Sequence, residues 1–265
     1  SVKSRGLGDV YKRQNINCEY YVSLVHNLLI EDGLVNLVYE IPHMLQWGTP
    51  IDVSEYMQWS NYNRQIIKGQ KKVDIPNCVT VMPMAGQGSR FSKEGYEVPK
   101  PCIPVNGSLM FLQALKCLPN TSDLFFASLT SRKDLLDLEK YGKVVWLDDV
   151  LEGQACTTER IVNHISDPNM SFLVSACDNG ILYDSDKFLN LVNNFDNDII
   201  VWSYRNNFTS YRNPNAYSWL DVDDENIIRK VNVKDYKGVN PLDEFAVVGT
   251  MLSLIHISEP TRLHG

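Results

Sequence analysis

The feature that most constrains this chain is an apolar run at residues 79–84, VTVMPM, that opens directly into AGQGSRF and, a few residues later, into EVPKPCIPV. A short apolar run bounded by a glycine turn reads as a buried strand that ends in a tight bend. At Gly86 and Gly88 the missing side chains let backbone N–H groups close on an anion, so the bend reads as a phosphate cradle, or as an ordinary tight turn when the glycines are taken alone. Arg90 and Lys100 can add charge-assisted hydrogen bonds, the first as a planar fork and the second as a mobile point charge. Pro99 and Pro101 restrict the backbone that carries Lys100. Two other glycine motifs fit less well. A dinucleotide fingerprint needs Gly or Ala three positions after Gly88, where this chain has Phe91. A Walker loop needs Gly-Lys followed by Ser or Thr, and no such run follows this strand.

Downstream, residues 123–129, 144–147, 172–176 and 199–203 are further apolar, strand-like runs, and residues 102–105 form a short extended piece. Helical spacing occurs over 109–118, 132–141, 157–165 and 186–193. Strands alternating with helices imply βαβ units and a mainly parallel sheet covered on both faces. Residues 217–222, 227–233 and 245–251 come without intervening helices and predict a mixed or antiparallel extension. Upstream, Tyr21, Leu24, Val25, Leu28 and Leu29 fall at helical spacing with Gly33 as the stop. Residues 37–41 read as a short strand, and Thr49, Pro50 and Asp52 start a helix through Trp59. The polar, basic stretch 61–76 reads as a linker.

The 265 residues suffice for one large domain or two small ones, and 44% hydrophobic with 22% charged residues is globular composition. A net charge of −7 argues against general affinity for nucleic acid or an anionic membrane. No apolar run approaches the roughly 18–20 residues that span a bilayer, and no apolar signal core follows the basic N-terminus. The expectation is a cytoplasmic protein without a membrane partner. The six cysteines lack a C-x-x-C pair, the five histidines never form H-E-x-x-H, and no G-x-S-x-G occurs. Zinc hydrolysis and serine-nucleophile chemistry therefore have no local support. The opening SVKSRGLGDVYKRQ and closing LSLIHISEPTRLHG resemble translated sequencing-adapter DNA, so residues 1–14 and 252–265 are expected to be foreign to the fold.

The segment MPMAGQGSRF followed by PKP resembles the signature of sugar-phosphate nucleotidyltransferases, supported downstream by GQACTT, SACDNG, RNPNAYSWLDVD, VNVK and FAVVGT. The resemblance implies an α/β, Rossmann-like fold of the GT-A type with a mixed, mainly parallel sheet, truncated at its C-terminus near Met251. It implies transfer of NMP from an NTP to a sugar phosphate or similar phosphorylated acceptor, with pyrophosphate released, for surface polysaccharide precursors. A nucleotide-phosphate loop would run over Ala85, Gly86, Gln87, Gly88 and Ser89 to Arg90, the catalytic cations would be Arg90 and Lys100, and Asp178 would hold Mg2+. Gly153 and Gln154 would lie near the base, Lys234 would face the acceptor phosphate, and Asn213 and Trp219 would lie near the acceptor pocket. Read without the resemblance, GQACTT is a helix start, CDNG a turn and Lys234 a strand-end surface lysine. Asn213 and Trp219 are then equally well a turn residue and a core residue. Neither the nucleotide nor the acceptor is selected by these residues, and a homo-oligomer is compatible with them. An inactive nucleotide-binding or oligomerisation domain is the competing class.

The upstream stretch YYVSLVHNLLIEDG and VYEIPHMLQWGTPIDVSEYMQWS resembles the carboxy-terminal end of the same family, here ahead of the signature. That order implies a tandem arrangement in which residues 15–60 are the tail of a preceding copy and residues 77–251 are the N-terminal and central part of the next. A private N-terminal accessory segment is the alternative; a further hypothesis is that residues 15–60 fold back on the downstream core, with Val25 and Leu28 on its sheet. Relatives often carry a second metal carboxylate near the GTP segment, where this chain has Gln46 and Trp47, while Asp52 reads as a helix cap.

Overall fold

The computed structural model describes residues 25–167, 169–193 and 198–254. The chain divides into two compact units between Val53 and Ser54. In the upstream unit, α1 (Val25–Glu31) stops where Gly33 takes φ +75°. Gly33 N–H donates to the Ile30 carbonyl and Leu34 N–H to the Leu29 carbonyl, both at 2.9 Å, so the helix-end acceptors are satisfied. Tyr21 and Leu24 of the expected helix lie outside the described residues, as do the side chains of Val25 and Leu28. The strand expected at 37–41 is not formed: these residues have no strand partner among the described residues, and Val38 is 96% exposed. An apolar run becomes a strand only where another backbone completes its hydrogen bonds. The expected helix start is present, since Thr49 and Asp52 bond reciprocally, Thr49 N–H to Asp52 Oδ2 at 3.0 Å and Asp52 N–H to Thr49 Oγ1 at 3.3 Å.

From that cap α2 (Pro50–Lys68) runs well past Trp59, and β1 (Asp74–Pro83) begins soon afterwards. The stretch expected as a polar linker over 61–76 is thus half helix and partly strand. Its helical residues are mostly exposed, so they need no apolar stripe once the helix is nucleated. The following elements are α3 (Ser89–Lys93), β2 (Pro104–Val105), β3 (Ser108–Leu109), α4 (Met110–Cys117), β4 (Asn120–Leu129), β5 (Lys143–Leu147) and α5 (Gln154–Val162). The last are β6 (Ser171–Val174), α6 (Ser185–Val192), β7 (Ile199–Tyr204), α7 (Phe208–Arg212), β8 (Ser218–Val222), β9 (Ile228–Val233) and β10 (Phe245–Ser253).

The main sheet has the order β5-β4-β1-β6-β10-β8-β9, with β7 also paired to β10. Strands β5, β4, β1 and β6 are parallel, whereas the β10, β7, β8 and β9 pairings are antiparallel. This is the mixed, mainly parallel α/β sheet expected. Its strands read as continuous apolar runs because both faces are covered. Cys78 and Met82 of β1 join Phe126, Leu173, Phe111 of α4 and Phe188 of α6 on one face. Val79 and Val81 join Phe125, Phe172 and Ile161 of α5 on the other.

Three boundaries differ from the sequence reading. Residues 132–141 form only the 3-10 turns Thr130–Arg132 and Leu138–Lys140 in place of a helix. Both Leu136 and Leu138 are buried there, a two-residue spacing that a helix cannot put on one face. Helix α5 starts at Gln154, ahead of Thr157. Strand β10 continues through Leu252 and Ser253, beyond the Met251 limit, and these residues are 0% and 1% exposed. Among the described residues no helix is long and apolar enough to cross a membrane.

Candidate active site

The chain leaves β1 for β4 and β5 on one side and later returns to β6 on the other. The carboxyl ends of β1 and β6 therefore flank a topological switch point, where open α/β sheets leave a crevice. A cavity of about 350 Å³ lies there. The bend after β1 lines it with Met84, Ala85, Gly86 and Gly88, the stretch after β6 with Ala176, Cys177 and Asp178, and the approach to α5 with Leu151, Gly153 and Gln154. Lys100 completes the wall.

Gly88 caps α3 in a left-handed conformation, φ +68°, and a Cβ there would stand 3.1 Å from the Lys100 Cβ. Glycine is thus required twice, for the backbone and for the passage of Lys100. A Cβ at Gly86 would meet nothing within 4 Å. Pro99 and Pro101 flank Lys100 at the start of the 3-10 turn Lys100–Cys102. The Lys100 ammonium forms an ion pair with Asp178 Oδ2 and lies 5.9 Å from the Phe91 ring centroid. Gly153 is fully extended, and its carbonyl accepts from Thr157 N–H at 3.2 Å and Thr157 Oγ1 at 3.1 Å.

Of the expected site residues, Ala85, Gly86, Gly88, Lys100, Gly153, Gln154 and Asp178 line one cavity although they come from four separate stretches of chain. Gln87 belongs to the same bend, and Ser89 and Arg90 open α3; all three are exposed and outside the cavity wall. Asn213 and Lys234 are exposed beside the β8–β9 hairpin, Lys234 with φ +52° and its N–H on the Tyr217 carbonyl at 3.1 Å; neither lines the cavity. Trp219 is 3% exposed, donates to the Pro214 carbonyl at 2.8 Å and packs on Tyr236, which is the core role.

Sequence reasoning missed Arg132, which follows β4 and is 7% exposed. Its guanidinium donates to the Met84 carbonyl and the Gly86 carbonyl, each at 2.8 Å, so it braces the glycine bend from behind. Burial holds its pKa below the ordinary arginine value, partly offset by the neighbouring Cys102 and Cys177. Cys177, in the cavity wall, is pushed up to about 11 by burial first and by the Asp178 charge second. Such a group is a thiol at neutral pH.

Among the described residues no group of three or more His, Cys, Asp or Glu could hold a metal ion. Asp178 is the carboxylate of the cavity wall. One carboxylate suits Mg2+, which keeps several waters and takes the rest of its shell from substrate phosphates.

Solved structures share this fold. The inositol-1-phosphate CTP transferase from T. maritima is 18% identical over 69% of this chain and 71% of that chain, with a TM-score of 0.52. A protein described as a glucose-1-phosphate thymidylyltransferase from Bacillus anthracis is 14% identical over 66% and 71%, with a TM-score of 0.51. HddC from Yersinia pseudotuberculosis, complexed with GMP-PN, is 16% identical over 69% and 80%, with a TM-score of 0.50. At such identities the likeness is one of fold. No family model matches the chain, and no curated protein matches it.

Proposed function

We propose that this chain carries the nucleotide-binding core of a nucleotidyltransferase, which moves NMP from an NTP to a sugar phosphate or similar phosphorylated acceptor and releases pyrophosphate. One observation carries the reading: the glycine bend, Lys100, the Gly153–Gln154 pair and Asp178 meet at the switch-point cavity of a fold shared with nucleotidyltransferases. Backbone N–H groups of the bend would hold the triphosphate, and Gly153 with Gln154 would read the base edge. An acceptor phosphate oxygen would then attack the α-phosphorus in line, with the bond to pyrophosphate breaking as the new one forms. Lys100 can pass its donors from Asp178 to phosphate oxygens, which reduces repulsion between the two anionic reactants. Arg90, exposed on α3 just after the bend, would meet the outer phosphates when nucleotide enters. Asp178 is the residue that would hold Mg2+, which when bound supplies charge neutralisation at the reacting phosphates. Asn213 and Lys234 would face the acceptor, and surface polysaccharide precursor synthesis is the role that follows from the family resemblance.

The order of segments supports a tandem origin, with residues 15–60 as the tail of one copy and residues 77–251 as the start of the next. An inactive, nucleotide-binding domain is favoured by one observation, that Asn213 and Lys234, expected at the acceptor, do not line the cavity. Pyrophosphate release from each of CTP, UTP, dTTP, GTP and ATP, with Mg2+ and a panel of sugar phosphates, separates the two. Turnover with one pair supports the transferase; nucleotide binding without turnover in every pair supports the binding domain.

A further inference from the structure

The charges of the cavity wall cancel. Its charged side chains are Lys100 and Asp178, and they are paired with one another. Arg90 is exposed and outside the wall. The nearest buried cation is Arg132, and among the described residues no carboxylate lies within ion-pairing distance of it. Its fork is committed to two neutral acceptors, the Met84 and Gly86 carbonyls. A buried guanidinium is costly unless it is hydrogen-bonded and its charge answered. Here the hydrogen bonds are supplied and the counter-charge is not. With the carbonyls on both sides of Ala85 bonded to Arg132, which is outside the cavity lining, these two acceptors are occupied by a cation.

We infer that Arg132 is the positioning residue of this site and the source of its uncompensated positive charge, so that it makes the glycine bend a receptor for a polyphosphate. The inference rests on the proposed nucleotide role for the ligand's identity, but the bracing of the bend stands apart from it. Arg132 reaches the ligand only through the Met84 and Gly86 backbone. It is also distinct from the exposed cations that the sequence signature names. Arg132→Met removes both fork and charge. Arg132→Lys keeps a charge but presents a point donor where the planar fork spans two carbonyls.

The test uses the full chain and inorganic tripolyphosphate, with calorimetric titration for affinity and amide spectra of the ligand-free protein for the bend. Arg132→Lys is expected to bind tripolyphosphate about tenfold more weakly and Arg132→Met at least about a hundredfold more weakly. In both variants the Gly86, Gln87 and Gly88 amide resonances should shift, while those of β1 and β4 hold their positions. Unchanged affinity with unchanged bend resonances overturns the inference and leaves the nucleotide reading intact. If Arg132→Met does not fold, Arg132→Lys decides by the same two readouts. Should the unaltered protein bind no tripolyphosphate, the polyphosphate receptor is refuted together with the nucleotide reading. Shifted bend resonances in the variants would then still assign the bracing to Arg132.

Discussion

At the scale of single residues, the site depends on one ion pair and on the buried groups beneath it. Lys100 is held close to where phosphate would lie, in a pair with Asp178. Lys100→Met should lower the pyrophosphate-release rate by about 2–4 kcal/mol of barrier, or roughly 30- to 1000-fold, with little change in the thermal midpoint. A rate within twofold of the unaltered protein would remove Lys100 from the chemistry. Cys177 gives a pH prediction with a definite sign. Its folded pKa is raised from 9.0 to about 11, so below pH 9 the thiol is protonated in both states and the stability is undisturbed. As pH climbs from 9 toward 11 the unfolded chain ionises first and the folded state loses ground. The thermal midpoint should therefore fall over that window, and less steeply in Cys177→Ala; equal slopes would contradict the burial argument. Lys100 stands out in the sequence by its flanking prolines and Asp178 by its place after an apolar strand, and the roles expected of them came from the resemblance. Arg132 does not stand out, because its partners are carbonyls 46 and 48 residues away and backbone acceptors leave no trace in side-chain spacing.

At the scale of elements, the bend after β1 separates two glycines that look alike in the sequence. Gly88→Ala forces a left-handed alanine and a Cβ contact of 3.1 Å with Lys100, whereas Gly86→Ala adds a methyl group to open space. The first should cost about 1–2 kcal/mol, a midpoint drop of roughly 2–8 °C, and weaken polyphosphate binding. The second should leave the midpoint within about 1 °C, because a new Cβ that meets no atom costs little packing. Equal destabilisation by both would contradict the assigned geometry. Buried strands β1, β4 and β6 were legible because burial on both faces makes them continuous apolar runs. The half-exposed α2 beyond Trp59 was not, since a helix extended from a strong cap carries no stripe in its last turns. The 132–141 segment misled in the opposite way. Its leucines suit a helix, but Gly142 passes so close to the Leu124 carbonyl that the chain is pinned to the sheet before a helix could complete. The run at 37–41 has strand chemistry and no strand partner among the described residues.

At the scale of the whole molecule, the site exists because the strand order reverses between β1 and β6, a property of topology that alternating strands and helices imply but do not fix. The sheet runs past Met251, and Leu252 is wholly buried between β6 and β7. Leu252→Ala should cost about 2–5 kcal/mol in urea unfolding; a loss below about 0.5 kcal/mol would mean that the last residues of β10 are dispensable. The central claim concerns where a nucleotide would sit. Its most direct test is a crystal structure of the chain with Mg2+ and a non-hydrolysable nucleoside triphosphate. The expected result has the phosphates against the Gly86–Gly88 amides, the Lys100 ammonium moved from Asp178 onto a phosphate oxygen, and the base beside Gly153 and Gln154. A nucleotide bound elsewhere, with the Lys100–Asp178 pair intact and the bend empty, would contradict it.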